Sequence, residues 1–249
     1  MSPTQASLLT TRGLARHFGG LRAVDGVDFV LEAGEIRAII GPNGAGKTTF
    51  VGLLCGRVAP SAGTITFLGE DVTRLPAHRR VARGIAYTFQ ITNIYPNLTA
   101  FDNVALAAQS SLGRHGGLLA PIHVDVLARK VEAALAAVGL AARAGEKAGE
   151  LAYGHQRLIE VAMGLALEPK VLILDEPTQG LSDPEIADFC ALVRRIAASA
   201  TILLIEHNMD VVMQLADRIT VMNRGQVLAE GDPQAIRDDP AVQAAYLGT

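Results

Sequence analysis

The sequence has no tryptophan, two cysteines in 249 residues and only 4% aromatic side chains. Cys55 and Cys190 cannot build a disulfide framework and have no metal-ligand spacing, so both are expected as buried small hydrophobes. Positive charge is scarce as well. The 22 Lys and Arg against 25 Asp and Glu give a formal net charge of −3, which leaves no basic field to recruit nucleic acid or an anionic membrane surface. Long apolar runs are missing too, although mean hydropathy is +0.28. Stretches such as "VAMGLAL" and "VLIL" fall far short of the roughly 20 residues that a spanning helix needs. The start, "MSPTQASLLTTRG", lacks the basic and apolar regions of a signal peptide. A cytosolic chain is expected, held at any membrane by something else.

What is present is a core. Hydrophobic residues make up 49% and charged residues 19%, the balance of a folded globular chain long enough to bury a sizeable interior. Val27, Phe29 and Leu31 alternate with Asp28, Val30 and Glu32, the two-residue period of a half-buried antiparallel strand. "GTITFLGEDV", residues 63 to 72, reads in the same way, and "IRAII" reads as a strand buried on both faces. From about Asn103 to Ala166 the pattern turns helical, with Val124, Leu127, Val131, Leu135 and Val138 spaced by three or four. Strand-like runs return in "KVLILDEP", "TILLIEH" and "RITVM". Helical stretches between them give the alternation of a parallel sheet, so the fold class is α/β with a helical insertion. "PAVQAAYLGT" closes the chain as a helix.

Chemistry enters at "IRAIIGPNGAGKTTF", where Gly41-x-x-x-x-Gly46-Lys47-Thr48 lies between a buried strand and a helix. Glycines let backbone N–H groups curl around phosphate oxygens, and the helix N-terminus adds its dipole. Lys47 is placed to reach the β- and γ-phosphates and Thr48 to put a hydroxyl on Mg²⁺. Further on, "VLILDEP" ends a strand in Asp175 and Glu176. The first carboxylate can hold Mg²⁺ through water, and the second can take a proton from an attacking water. His207 closes the strand "TILLIEH" in the same manner, while Gln90 begins a loop after "YTF".

Taken in order, "GPNGAGKTT", Gln90, "LAYGHQ", "LILDEP" and His207 resemble the nucleotide-binding domain of ATP-binding cassette (ABC) proteins. The resemblance runs from about Leu8 to the C-terminus. It implies one P-loop NTPase domain with an antiparallel β subdomain: residues 1–90 and 167–249 form a RecA-like core, and about 91–166 form a helical subdomain. It also implies that Phe18 stacks on adenine and that ATP lies on the loop Gly41, Pro42, Asn43, Gly44, Ala45, Gly46, Lys47, Thr48 and Thr49. Thr48, Gln90 and Asp175 would hold Mg²⁺, Glu176 would be the general base, and His207 would meet the γ-phosphate, with Gln90 and Lys47 also catalytic. "LAYGHQ" occupies the signature position, usually Leu-Ser-Gly-Gly-Gln, which binds the nucleotide of an opposite subunit. Ala152, Tyr153 and Gly154 would make that contact. Ala152 lacks the usual serine hydroxyl, a loss of about 0.5–1.5 kcal/mol for an ordinary hydrogen bond. Position 182, usually aspartate in the family, is Ser182, with Asp183 next.

"FGGLRAVDGVDF", "YTFQITNIYPNLTAFDNVALAAQ", the Tyr-third signature and "GDPQAIRDDPAVQAAYLG" are similar to one subgroup. These are the ATP-binding subunits of branched-chain amino-acid importers. The partners so implied are transmembrane permease subunits, a second ABC ATPase subunit and, indirectly, a periplasmic solute-binding protein. The expected location is the cytoplasmic face of the inner membrane. Residues about 91 to 105 would receive the permease's coupling helix, where Tyr95 and Phe101 are equally candidates for the core. Importers of urea or short amides, lipopolysaccharide-type exporters and soluble ABC ATPases are the alternatives. The last of these is disfavoured by the negative charge and the single cassette.

Overall fold

The computed structural model describes residues 7–88, 94–116 and 124–247. In chain order these residues form β1 (Ser7–Phe18), β2 (Leu21–Glu32), β3 (Ile36–Ile40), α1 (Lys47–Leu54), β4 (Ala62–Phe67), β5 (Glu70–Asp71), α2 (Ala77–Val81), β6 (Ile85–Thr88) and α3 (Ala100–Gly116). There follow α4 (Val124–Ala137), α5 (Tyr153–Leu165), β7 (Val171–Asp175), α6 (Asp183–Ala197), β8 (Thr201–Ile205), α7 (Met209–Leu215), β9 (Arg218–Asn223), β10 (Gln226–Gly231), α8 (Pro233–Asp238) and α9 (Pro240–Leu247). The chain divides into two compact units, Met1–Arg80 with Val193–Thr249 and Val81–Leu192.

In the first unit an antiparallel sheet runs in the order β2-β1-β4-β5. Val27, Phe29 and Leu31 point into its core while Asp28 and Val30 face water, as their alternation predicts. Residues 63 to 72 do not make one strand. Leu68 and Gly69, with φ of 51° and 79°, form a two-residue turn that folds β5 back on β4, pairing Thr66 with Asp71 and Phe67 with Glu70. Positive φ at both central positions is the geometry of a type I′ hairpin, and a leucine at the first of them hid the turn.

The unit's second sheet has the order β10-β9-β3-β8. β3 pairs in parallel with β8 and with β9, so all five of its residues are buried. That includes Arg37, whose guanidinium pairs with Glu35 and Glu230, each at 3.1 Å, and donates to the Thr220 hydroxyl at 3.0 Å. Ala38 and Ile40 pack with Val212, Ile219, Val221, Ile236 and Val242, joining α7, α8 and α9 to the strand that precedes the glycine loop. Buried Arg80 at the end of α2 donates to the carbonyls of Leu53 (2.6 Å) and Leu54 (2.8 Å), and to those of Thr73 (2.9 Å) and Leu75 (3.0 Å). The Leu53 carbonyl also accepts from the Gly56 amide at 3.2 Å, so the guanidinium adds to the backbone cap of α1 and serves the Leu54 carbonyl at its end.

In the second unit β6 and β7 pair in parallel, Thr88 opposite Leu174, and α3, α4 and α5 pack on one another. The α4 stripe is buried at Val131, Leu135 and Val138, whereas Val124 is 76% exposed and lies outside the core. Cys55 and Cys190 are buried and not disulfide-bonded. Among the described residues no helix is long and apolar enough to cross a membrane.

Candidate functional site

In the first unit, β3 runs straight into the loop 41–46. Gly41 (φ 150°), Gly44 (77°) and Gly46 (98°) all have positive φ, which lets the chain wrap where a side chain would not fit. A Cβ on Gly41 would overlap the Met222 carbonyl, and one on Gly46 would overlap the Ala23 carbonyl. The loop is thus pressed between β2 and the β9–β10 turn, whose Gly225 N–H donates to Ala45 O at 2.9 Å. α1 starts at Lys47 with no side chain capping it, so its first amides are left to an external acceptor, the arrangement that binds phosphate. Lys47 Nζ donates to the carbonyls of Gly41 at 2.6 Å and Pro42 at 3.1 Å. The cation is held on the main chain of the loop it belongs to.

His207 follows β8. Because Ile39 lies opposite Ile205 in the parallel pairing, both chains leave the sheet at the same edge, and His207 reaches the end where the glycine loop lies. Its side chain is 60% exposed. Glu206, buried beside it, accepts from the amides of His207 (2.9 Å) and Asn208 (3.0 Å) and so fixes the turn. Phe18 is 46% exposed, with the Arg16 guanidinium carbon 4.4 Å from its ring centroid, a cation–π contact.

In the second unit, β7 delivers Asp175, which is buried and accepts a 2.6 Å hydrogen bond from the Tyr87 hydroxyl of β6. Glu176 follows with φ of 45°. A left-handed conformation costs a residue with a side chain roughly 1–2 kcal/mol and persists only where its surroundings impose it. Here they do. Arg157 of α5, itself buried, donates to the carbonyls of Asp175 and Glu176, each at 2.9 Å, and to that of Pro177 at 3.3 Å. Its charge is balanced by buried Glu160, 2.6 Å away.

The string 151–156 forms the start of α5, with Ala152 at the N-cap and no side-chain cap. Tyr153 lays its ring against Gly180 (φ 80°), and a Cβ there would be 3.0 Å from the Tyr153 Cε1. Gly154 is packed so closely on the Glu185 carboxylate that a Cβ would overlap it. Glu185 in turn accepts from the Ser182 amide (2.8 Å) and hydroxyl (2.6 Å), capping α6. The Ser182 hydroxyl, then its amide, hold the Glu185 carboxyl below the ordinary carboxylate value.

Lys47, Thr48, Phe18 and His207 therefore belong to the first unit, and Asp175, Glu176, Ala152, Tyr153 and Gly154 to the second. Gln90 lies outside the described residues. Tyr95 is 57% exposed, not core. Its turn is pinned by buried Asn103, which accepts from the Tyr95 amide at 2.7 Å and donates to its carbonyl at 3.1 Å. Sequence reasoning missed Tyr87, Arg157 and Arg80. A buried ion pair at i, i+3 inside the apolar stretch "QRLIEVAMGL" was the available signal for Arg157; Tyr87 and Arg80 carried none. Among the described residues no cluster of three or more His, Cys, Asp or Glu could hold a metal ion alone. The Thr48 hydroxyl and the Asp175 carboxylate are hard oxygen donors of the type Mg²⁺ takes alongside phosphate oxygens.

The family described as ABC transporter matches residues 24–179, and that described as branched-chain amino acid ATP-binding cassette transporter matches residues 226–249. The chain is 39% identical to the high-affinity branched-chain amino acid transport ATP-binding protein BraF of Pseudomonas aeruginosa, over 97% of this chain and 98% of the relative. It is also 39% identical to LivG of Escherichia coli, which carries the same description, over the same shares. Among solved structures, the ADP conformation of MJ1267, an ATP-binding cassette of an ABC transporter, matches with a TM-score of 0.87 and 29% identity, over 98% of this chain and 100% of that one. A dimeric post-hydrolysis cassette, MJ0796 bound to ADP and Pi, shares the fold at a TM-score of 0.77 and 21% identity, over 91% of this chain and 99% of that one.

Proposed function

For a chain that belongs to the ABC transporter ATPase family, we propose that it is the ATP-hydrolysing subunit of an importer for branched-chain amino acids or closely related small solutes. The observation that carries the hydrolytic reading is the Asp175–Glu176 turn. A buried carboxylate is followed by a second one held in a left-handed conformation by three carbonyl contacts to Arg157. That is an acid kept in place at some cost, as a general base has to be. The cargo reading is supported by full-length likeness to BraF and LivG and by the C-terminal family match.

In this reading ATP phosphates lie on the amides of the glycine loop and of the first turn of α1, and Lys47 moves from the Gly41 and Pro42 carbonyls to the β- and γ-phosphates. Thr48, Gln90 and Asp175 would hold Mg²⁺, whose charge would offset that of the phosphates. Phe18 stacks on the base. Two cassettes close on two nucleotides, the turn at Ala152–Gly154 of each meeting the nucleotide of the other. Glu176 draws a proton from water as its oxygen attacks the γ-phosphorus, the bond to the β–γ bridging oxygen breaks, and His207 contacts the departing phosphoryl group. Closure and reopening move permease subunits at the cytoplasmic face of the inner membrane, and ATP never meets the cargo. Light scattering of Glu176→Gln with and without Mg·ATP tests this. An ATP-bound variant without steady-state turnover is expected, and appreciable turnover refutes the base. An ATP-dependent dimer means the chain completes its own site; an ATP-bound monomer means the second ATPase subunit is a different chain.

A further inference from the structure

The C-terminal segment is built more tightly than a tail requires. Asp232 caps α8, accepting from the Ala235 amide at 2.8 Å. Asp239 starts α9 by accepting from the amides of Ala241 (2.7 Å) and Val242 (3.2 Å). Each helix then inserts one side chain, Ile236 or Val242, into the cluster that holds Ala38 and Ile40. Ile40 is the last residue of β3, and the next residue is Gly41. Tyr246 stands four positions beyond Val242, on the same helical face, and its hydroxyl meets the Gly41 backbone. Tyr246 is 37% exposed, yet the partial burial of its phenol pushes it up to about 12, against the Gly41 contact, which favours the phenolate as an N–H donor would. The group therefore stays a neutral phenol at any physiological pH. Gly41 is also a position where a side chain could not be accommodated, since a Cβ there would overlap the Met222 carbonyl. Its own carbonyl accepts from Lys47 Nζ at 2.6 Å.

We propose that α9 braces the phosphate-binding loop, with Tyr246 as a positioning residue that fixes Gly41 and, through the Gly41 carbonyl, the resting place of Lys47. The inference rests on the reading of the loop as the ATP site. It gives the C-terminal residues of this chain a role in nucleotide affinity, although the glycine loop lies some 200 positions earlier in the sequence.

The test is titration of the purified full-length chain with a fluorescent ATP analogue and Mg²⁺, alongside thermal melting. Tyr246→Phe is expected to weaken binding roughly two- to tenfold, the factor carried by one ordinary hydrogen bond, while melting stays within about 4 °C of the wild type. In the assembled ATPase the same variant raises KM for ATP and leaves kcat near its original value. Val242→Ala loosens α9 without touching the phenol and serves as the structural reference. If Tyr246→Phe binds the analogue as tightly as the wild type, the brace is refuted. It is refuted equally if Tyr246→Phe and Val242→Ala lose affinity in the same proportion to the melting temperature they lose. Lys47→Ala separates the two levels. Loss of binding there with unchanged Tyr246→Phe removes the brace alone, whereas wild-type binding by Lys47→Ala removes the ATP-site reading and the brace with it.

Discussion

Replacing Arg157 by methionine separates two roles that the side chain combines. Its guanidinium satisfies carbonyls of Asp175, Glu176 and Pro177 and neutralises Glu160. Removing one member of a buried ion pair costs about 3–5 kcal/mol, because the other is left buried without its counter-charge. For a chain of this size that lowers the melting temperature by roughly 6–20 °C. Turnover falls for a different reason. Glu176 sits at φ 45°, and once released it relaxes to a commoner conformation. Recovering the productive geometry then costs about 2–3 kcal/mol, the strain plus part of a charged hydrogen bond, or roughly 30- to 150-fold in kcat. The double variant Arg157→Met/Glu160→Leu removes the unpaired charge and recovers a large part of the melting temperature, but none of the turnover. Phosphate release under saturating Mg·ATP and differential scanning fluorimetry on the wild type, the single and the double variant decide the matter. If turnover returns together with stability, Arg157 is only half of an ion pair and its hold on Glu176 is irrelevant to catalysis.

Arg80→Met leaves the Leu54, Thr73 and Leu75 carbonyls without the guanidinium and should lower melting by roughly 2–12 °C, the cost of an unsatisfied buried acceptor of about 1–3 kcal/mol. Arg80→Lys should recover less than half of that, since an ammonium lacks the planar fork; wild-type melting for Arg80→Met refutes the cap. Ser182→Asp sets a second carboxylate against Glu185, so the Glu185 carboxyl, which Ser182 now holds below 4.5, should move above it in a carbon-detected NMR titration. The sign follows from the depressed value: the wild-type cap contributes fully above pH 4.5 and is lost as pH falls through the folded pKa, and an unchanged titration in the variant contradicts the contact. For Tyr246 the sign is the reverse. The folded pKa of about 12 lies above the ordinary 10.0, so the unfolded chain deprotonates first and stability falls between these values as pH rises. Ultraviolet titration should show a late tyrosinate component that Tyr246→Phe removes.

The parts of the site that were legible in the sequence are those made by the main chain. A glycine at 41, 44 and 46 is demanded by positive φ, and carboxylates at the end of a buried strand declare themselves by position. So "GPNGAGKTT" and "LILDEP" declare their places in the fold from the sequence alone. The altered string "LAYGHQ" was placed by order and spacing, not by identity. Its effect on packing, Tyr153 on Gly180 and Gly154 on Glu185, was not legible, because the partners lie some thirty residues away in sequence, in the turn before α6 and in its first turn. The same holds for Tyr87 and Arg80, and for the carbonyl partners of Arg157, whose i, i+3 acid in an apolar stretch marks it only as buried and paired. A guanidinium on backbone carbonyls and a phenol on a carboxylate leave no periodic trace, and only tertiary structure says which arginine or tyrosine is the one. The β4–β5 hairpin was missed for a local reason, a leucine in a left-handed position that asparagine or glycine usually fills.

The parallel pairing of β3 with β8 and β9 bears on how the protein is made. A ribosome finishes residues 36–46 early, yet the partners of that strand are the last third of the chain. The Gly34 amide waits for Thr201, 167 residues later, and the Ile36 amide waits for Asp217, 181 residues later. Closing loops of that length is entropically slow and is completed only after synthesis has passed them. A nascent chain thus carries a complete phosphate-binding sequence with nothing to hold it in shape. Nucleotide binding should therefore switch on only once the chain through Asp217 has been made and folded back on β3.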